Sequence, residues 1–106
     1  MNFPDDWDAL TRIDHLQRKI IVASIQYYEL DDPCIGDAQY DALVKQLKGY
    51  MSEYPTPEKS RYWYVYRDWD GSTGYFLWHN LSAEDKQYLL NFASAVCKQY
   101  KEKRSC

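Results

Sequence analysis

Basic residues do not outnumber acidic ones in this chain. Thirteen Lys and Arg stand against 16 Asp and Glu in 106 residues, a formal net charge of −3. Non-specific nucleic-acid binding needs clustered cations on phosphates, so this balance argues against it. Long apolar runs are missing as well, and no segment approaches the ~20 residues of a membrane span. The N-terminal "MNFPDDWDAL" has neither the basic start nor the apolar core of a signal peptide. Glycine is scarce, with four in all, and forms neither a P-loop nor a Rossmann pattern. His15 and His79 stand alone, and Cys34, Cys97 and Cys106 show no CxxC or Cys/His ligand spacing. An odd cysteine count does not suggest a disulfide framework, and no His or basic cluster beside Cys34 marks an activated thiolate. The expectation is a soluble, cytoplasmic protein of a reducing compartment, without a metal.

Aromatic residues are abundant: eleven Tyr, four Trp and three Phe, 17% of the chain. Tyr and Trp join a large apolar body to a polar tip, which suits contact surfaces as well as cores. The chain is long enough for one core, so a single domain over residues 1–106 is expected.

Asp5 or Asp6 is placed to cap a first helix after Pro4. Leu10, Ile13, Leu16, Ile20, Ala23/Ser24 and Tyr27 then recur every three or four residues, one face of a helix that should stop near Leu30, ahead of "DDP". A second helix should open at Gly36 or Asp37. Its stripe is Tyr40, Leu43, Val44, Leu47, Tyr50, Met51 and Tyr54, and Pro55 and Pro57 end it. Two helices joined by a short connection should pack as an antiparallel hairpin. The stretch "RYWYVYRDWDGSTGYFLWHN" is rich in aromatic and β-branched residues and reads as a two-stranded β-hairpin turning around Asp70-Gly71 to Gly74. Trp63, Val65 and Trp69 would lie on one face of its first strand, and Tyr62, Tyr64 and Tyr66 on the other. A C-terminal helix follows, with a Ser82/Asp85 capping box and a stripe of Leu89, Ala93, Val96 and Tyr100 flanked by Leu90 and Cys97. The expected fold is α+β, in the order α-α-β-β-α.

The stretch between Tyr27 and Leu43, "YYELDDPCIGDAQYDAL", invites chemistry. Asp37, Tyr40 and Asp41 stand at i, i+3 and i+4, on one side of the first turn of the second helix. Tyr27 and Tyr28 lie across the connection. Such a corner offers aromatic faces for stacking and carboxylates for hydroxyl, amide or cationic partners. Two plainer roles stay open: both Asp could simply favour a helix N-terminus, and Tyr40 could simply be core.

"YYELDDPCIGDAQYDALVKQL" resembles the N-terminal helical segment, domain Ia, of bacterial NAD-dependent DNA ligases, through the paired Tyr, the Asp-Asp-Pro-x-Ile turn and Asp-Ala-x-Tyr-Asp-x-Leu opening the next helix. The upstream "RIDHLQRKI" has a similar pattern, so the likeness spans about residues 10–55; residues 56–106 resemble no ligase domain. The resemblance implies binding of the nicotinamide mononucleotide half of NAD. Tyr27 and Tyr40 would stack on the pyridinium ring, Asp37 and Asp41 would face the amide, ribose or positive ring, and Tyr28 would lie near the ribose-phosphate. Two departures qualify it. In "ASIQYY", Ala23 and Ile25 stand where the family often has His and an aromatic, which leaves the cleft less polar. The K-x-D-G lysine of ligase adenylation is missing, since the nearest string, "DWDG", has Asp68 in its place.

Two functions of different class follow. One is a nicotinamide mononucleotide- or NAD-binding module without ligase activity alone. The other is an interaction protein that docks onto or regulates a nucleotidyltransferase or DNA ligase domain, its nucleotide site vestigial. A small standalone copy of this kind would suit a phage or prophage. Direct nucleic-acid contact by the aromatic stretch is set aside, because only Arg61 and Arg67 accompany it.

Overall fold

The computed structural model describes residues 3–31, 34–69 and 75–104. Among these residues five α-helices follow one another: α1 (Ala9–Tyr28), α2 (Asp37–Glu53), α3 (Trp63–Tyr66), α4 (Tyr75–Asn80) and α5 (Ala83–Arg104), with a 3-10 turn at Pro57–Lys59. Among the described residues there is no strand.

The helical hairpin forms where the hydrophobic pattern places it. Ile13, Leu16, Ile20, Ile21 and Ile25 of α1 are fully buried and pack in one cluster with Leu43, Val44 and Leu47 of α2. Burying each such side chain is worth ~1.5–3 kcal/mol. Tyr40, Tyr50, Met51 and Tyr54 pack half-buried along the same α2 stripe. The start of α1 differs from expectation. Asp8 is its N-cap and accepts from Thr11 N–H at 2.8 Å, while Asp5 and Asp6 lie in a turn closed by Trp7 N–H on the Pro4 carbonyl at 3.1 Å. That turn lays Phe3 and Trp7 against His15, with ring centroids 5.9 and 5.4 Å away.

At its other end, α1 closes with the Ile25 carbonyl accepting from both Glu29 N–H and Leu30 N–H, at 2.9 and 3.0 Å. Asp31 then turns the chain in the left-handed region, φ 50°, which Asp tolerates better than most residues. Gly36 caps α2, its N–H donating to Gln39 Oε1 at 3.1 Å.

Among the described residues the expected β-hairpin is absent, and the α+β assignment is overturned: residues 63–66 and 75–80 are short helices. The expected turn at Asp70–Gly74 lies outside the described residues. The reason is burial. Tyr62, Val65 and Tyr66 are buried and Trp69 packs half-buried beside them, an i, i+3, i+4, i+7 set, whereas Tyr64 is 40% exposed. Alternation would have separated Val65 from Tyr66; the core needs both on one face. Local composition favoured strands, and tertiary packing on α1 overrode it.

Helix α5 buries Leu89, Ala93 and Cys97, with Val96 half-buried; the side chain of Tyr100 lies outside the described residues. Half of the capping box forms, with Asp85 N–H donating to Ser82 Oγ at 3.2 Å. Asp85 turns its carboxylate elsewhere. It takes a bidentate pair from Arg61 at 2.7 and 3.3 Å and a hydrogen bond from Tyr64 Oη, while Ser82 N–H donates to Tyr64 Oη at 3.2 Å. The cap is therefore completed by the segment after the hairpin, which fixes α5 to it.

Candidate functional site

The corner where α1 ends and α2 begins holds all five residues singled out by sequence. Tyr27 and Tyr28 end α1 with 53% and 41% of their surface exposed, and their rings meet edge to face at 4.8 Å. Tyr40 is half-buried one turn into α2, and its hydroxyl lies 3.3 Å from Ser24 Oγ. Ser24 is itself buried and donates back to the Ile20 carbonyl at 2.9 Å. That leaves the Tyr40 hydroxyl a natural donor toward Ser24. Burial raises the Tyr40 pKa, the Ser24 hydrogen bond opposes the rise, and nearby Tyr28 and Asp41 add to it. Tyr40 is thus a neutral phenol near both. Asp37 and Asp41 are exposed on the first turns of α2, where the helix dipole favours them.

The structure joins Tyr27 to Tyr28 through their rings and ties Tyr40 back to Ser24 of α1. Asp37 shares the helix face of Tyr40 and Asp41 by spacing. Tyr40 packs half-buried against the core, with its hydroxyl 3.3 Å from Ser24 Oγ. Ser24, which meets the Tyr40 hydroxyl, was not among the residues singled out by sequence. Ala23 and Ile25, which stand where the family often has His and an aromatic, are buried in the core.

Away from this corner, a concavity of about 590 Å³ lies toward the start of α1 between Trp7, Asp14, His15, Arg18, Arg61 and Tyr88. Two of its charges, Arg61 and Asp85, pair with each other. Asp14 accepts Arg61 N–H at 2.7 Å, and the Arg61 guanidinium is held by Asp85. Among the described residues no three His, Cys, Asp or Glu side chains gather as a metal-ligand set, and no helix is long and apolar enough to cross a membrane.

The family model described as "DNA ligase-like, N-terminal NAD+-binding domain" matches residues 7–60, which spans α1, the corner, α2 and the turn after it. The chain belongs to this family. Its similarity to DNA ligases follows the same segment. The enzyme of Desulfitobacterium hafniense is 44% identical over 48 residues, covering 45% of this chain and 7% of that ligase. Those of Ectopseudomonas mendocina and Pseudomonas aeruginosa are each 39% identical, over 54 and 51 residues, covering 48% of this chain and 7% and 6% of theirs. The chain thus spans less than a tenth of the length of these relatives. No solved structure matches it. Helices α3 to α5 lie beyond the family match, yet Leu77, Leu89 and Ala93 share the core cluster of the α1–α2 hairpin.

Proposed function

We propose that this chain is a nicotinamide mononucleotide-binding module that takes that half of NAD at the Tyr27, Tyr28, Asp37, Tyr40 and Asp41 corner, and that it seals no nicks alone. The observation that carries this reading is the seating of Tyr40. Its hydroxyl is tethered to Ser24 while Tyr28 and Asp41 lie close by, in a segment of an NAD+-binding family. A cationic pyridinium on two aromatic faces would gain ~1–3 kcal/mol, and charge-assisted hydrogen bonds to the carboxylates ~1.5–3 each. Ordering the ligand and side chains removes several kcal/mol. The remainder corresponds to a dissociation constant of roughly millimolar.

A second reading has one observation behind it. The exposed rings of Tyr27 and Tyr28 present the corner as half of a site, the other half to come from a nucleotidyltransferase domain docked against it. Affinity measurements with nicotinamide mononucleotide, NAD and AMP separate the two. Binding of the first two by the chain alone, with AMP inert, supports the module. Binding that appears only after a ligase adenylation domain is added supports docking.

A further inference from the structure

Cys34 and Cys97 are 63 positions apart in sequence, yet their Sγ atoms lie 3.4 Å apart. Cys34 sits half-buried in the α1–α2 connection, and Cys97 is buried on the inner face of α5. A disulfide needs its sulfurs about 2.05 Å apart, so an approach of about 1.4 Å would suffice. Cys34 lies in irregular backbone, between Asp31 and the Gly36 cap, where a small shift breaks no helix. A groove of about 220 Å³ lined by Ala23, Gln26, Cys34, Ile35, Phe92 and Val96 leads to Cys34. It is wide enough for a small oxidant. The thiol contact also extends a seam already held by non-covalent contacts. Gln26 Nε2 donates to the Ala93 carbonyl at 3.3 Å, and the Arg18 guanidinium lies 5.2 Å from the Phe92 ring centroid.

We propose that Cys34 and Cys97 are a redox-modification site, forming a reversible disulfide under peroxide that links the α1–α2 connection to α5. The Cys34 thiolate attacks one peroxide oxygen and breaks the O–O bond. This leaves a sulfenic acid on Cys34 and a hydroxide that takes up a proton to become water. Cys97, deprotonated, then attacks the Cys34 sulfur; the S–O bond breaks and the departing hydroxide becomes the second water. Two thiols lose two electrons and two protons, and one peroxide becomes two waters. A dithiol reductant reverses the bond by exchange. The crosslink would join the family-matched segment to the helices beyond it. It stands whether or not the corner takes a nucleotide.

The full chain is exposed to stoichiometric hydrogen peroxide, alkylated, and mapped by non-reducing peptide mass spectrometry. The expected result is one intramolecular linked peptide pair containing Cys34 and Cys97, lighter by two hydrogen atoms, released by dithiothreitol and retained in Cys106→Ser. It should be lost in Cys34→Ser and in Cys97→Ala, with circular dichroism confirming that both variants fold. The oxidised protein should melt at least ~5 °C above the reduced form, because the bond restricts the unfolded chain. Linkage of Cys34 to Cys106 or to a second chain, over-oxidation of Cys34 to sulfinic acid without linkage, or full alkylation of both thiols after peroxide would each overturn the proposal.

Discussion

Gln17 and Ser60 are bonded in the middle of the protein. Gln17 is fully buried on α1, and its Nε2 donates to Ser60 Oγ at 2.9 Å. Its Oε1 accepts from Tyr62 N–H at 3.2 Å, and its backbone carbonyl accepts from Tyr66 Oη at 2.6 Å. One polar residue on an apolar helix face thus satisfies the segment that leaves the hairpin and turns it into α3. Gln17→Leu would keep the volume and strand the Tyr62 N–H, while the Ser60 hydroxyl keeps its bond to the Pro57 carbonyl at 2.7 Å. A loss of ~1–3 kcal/mol is expected, read from urea unfolding midpoints.

Leu47 is 1% exposed and Leu43 7%, both facing α1. Truncation of either to Ala should cost ~2–5 kcal/mol, the range for buried leucines. Against a total stability on the order of 5–15 kcal/mol, this would lower the melting temperature by many degrees. An unchanged melting temperature would place the hairpin contact elsewhere.

Acid should weaken the fold in two stages. Burial, helped by Arg18 and Lys19, holds the His15 pKa below the ordinary histidine value, and its Nε2 is buried without a partner among the described residues. A depressed pKa means that the unfolded chain takes up the proton first. The stability tied to neutral His15 is complete above about pH 6.5 and is lost as pH falls toward its folded value. For Asp85, burial pushes the pKa upward, but hydrogen bonds from Tyr64 and Arg61 outweigh it and leave the pKa lowered. Its contribution is complete above about pH 4 and is lost below. Urea midpoints measured from pH 7.5 to 3 should fall in both windows. His15→Gln should flatten the first decline and Asp85→Asn should reduce the second.

Incubation with radiolabelled NAD should leave the chain unlabelled. No lysine stands in a K-x-D-G setting, so nothing is placed to attack the α-phosphate in line. A stable AMP adduct on any lysine would contradict this.

The hairpin was legible because its apolar residues repeat at helical spacing and "DDP" and Pro55 bracket α2. The corner was legible through the spacing of Asp37, Tyr40 and Asp41. The middle of the chain was misread because Tyr62, Val65, Tyr66 and Trp69 carry two messages. Their residue types favour strands, while their spacing of three, one and three fits a helix. The second message prevails when the face must lie on a buried helix such as α1. What Gln17, Ser24 and Asp85 do could not be read locally, since each bonds to a segment far along the chain.

The nucleotide reading is tested most directly by a 15N–1H NMR titration of the full chain with nicotinamide mononucleotide, beside AMP at equal concentration. Millimolar nicotinamide mononucleotide should shift the amides of residues 24–31 and 34–41, and AMP should not. Tyr40→Ala and Asp41→Ala, with spectra otherwise those of a folded protein, should each abolish the shifts. Equal perturbation by AMP, or none by either nucleotide at several millimolar, would contradict a nucleotide-binding corner in the chain alone.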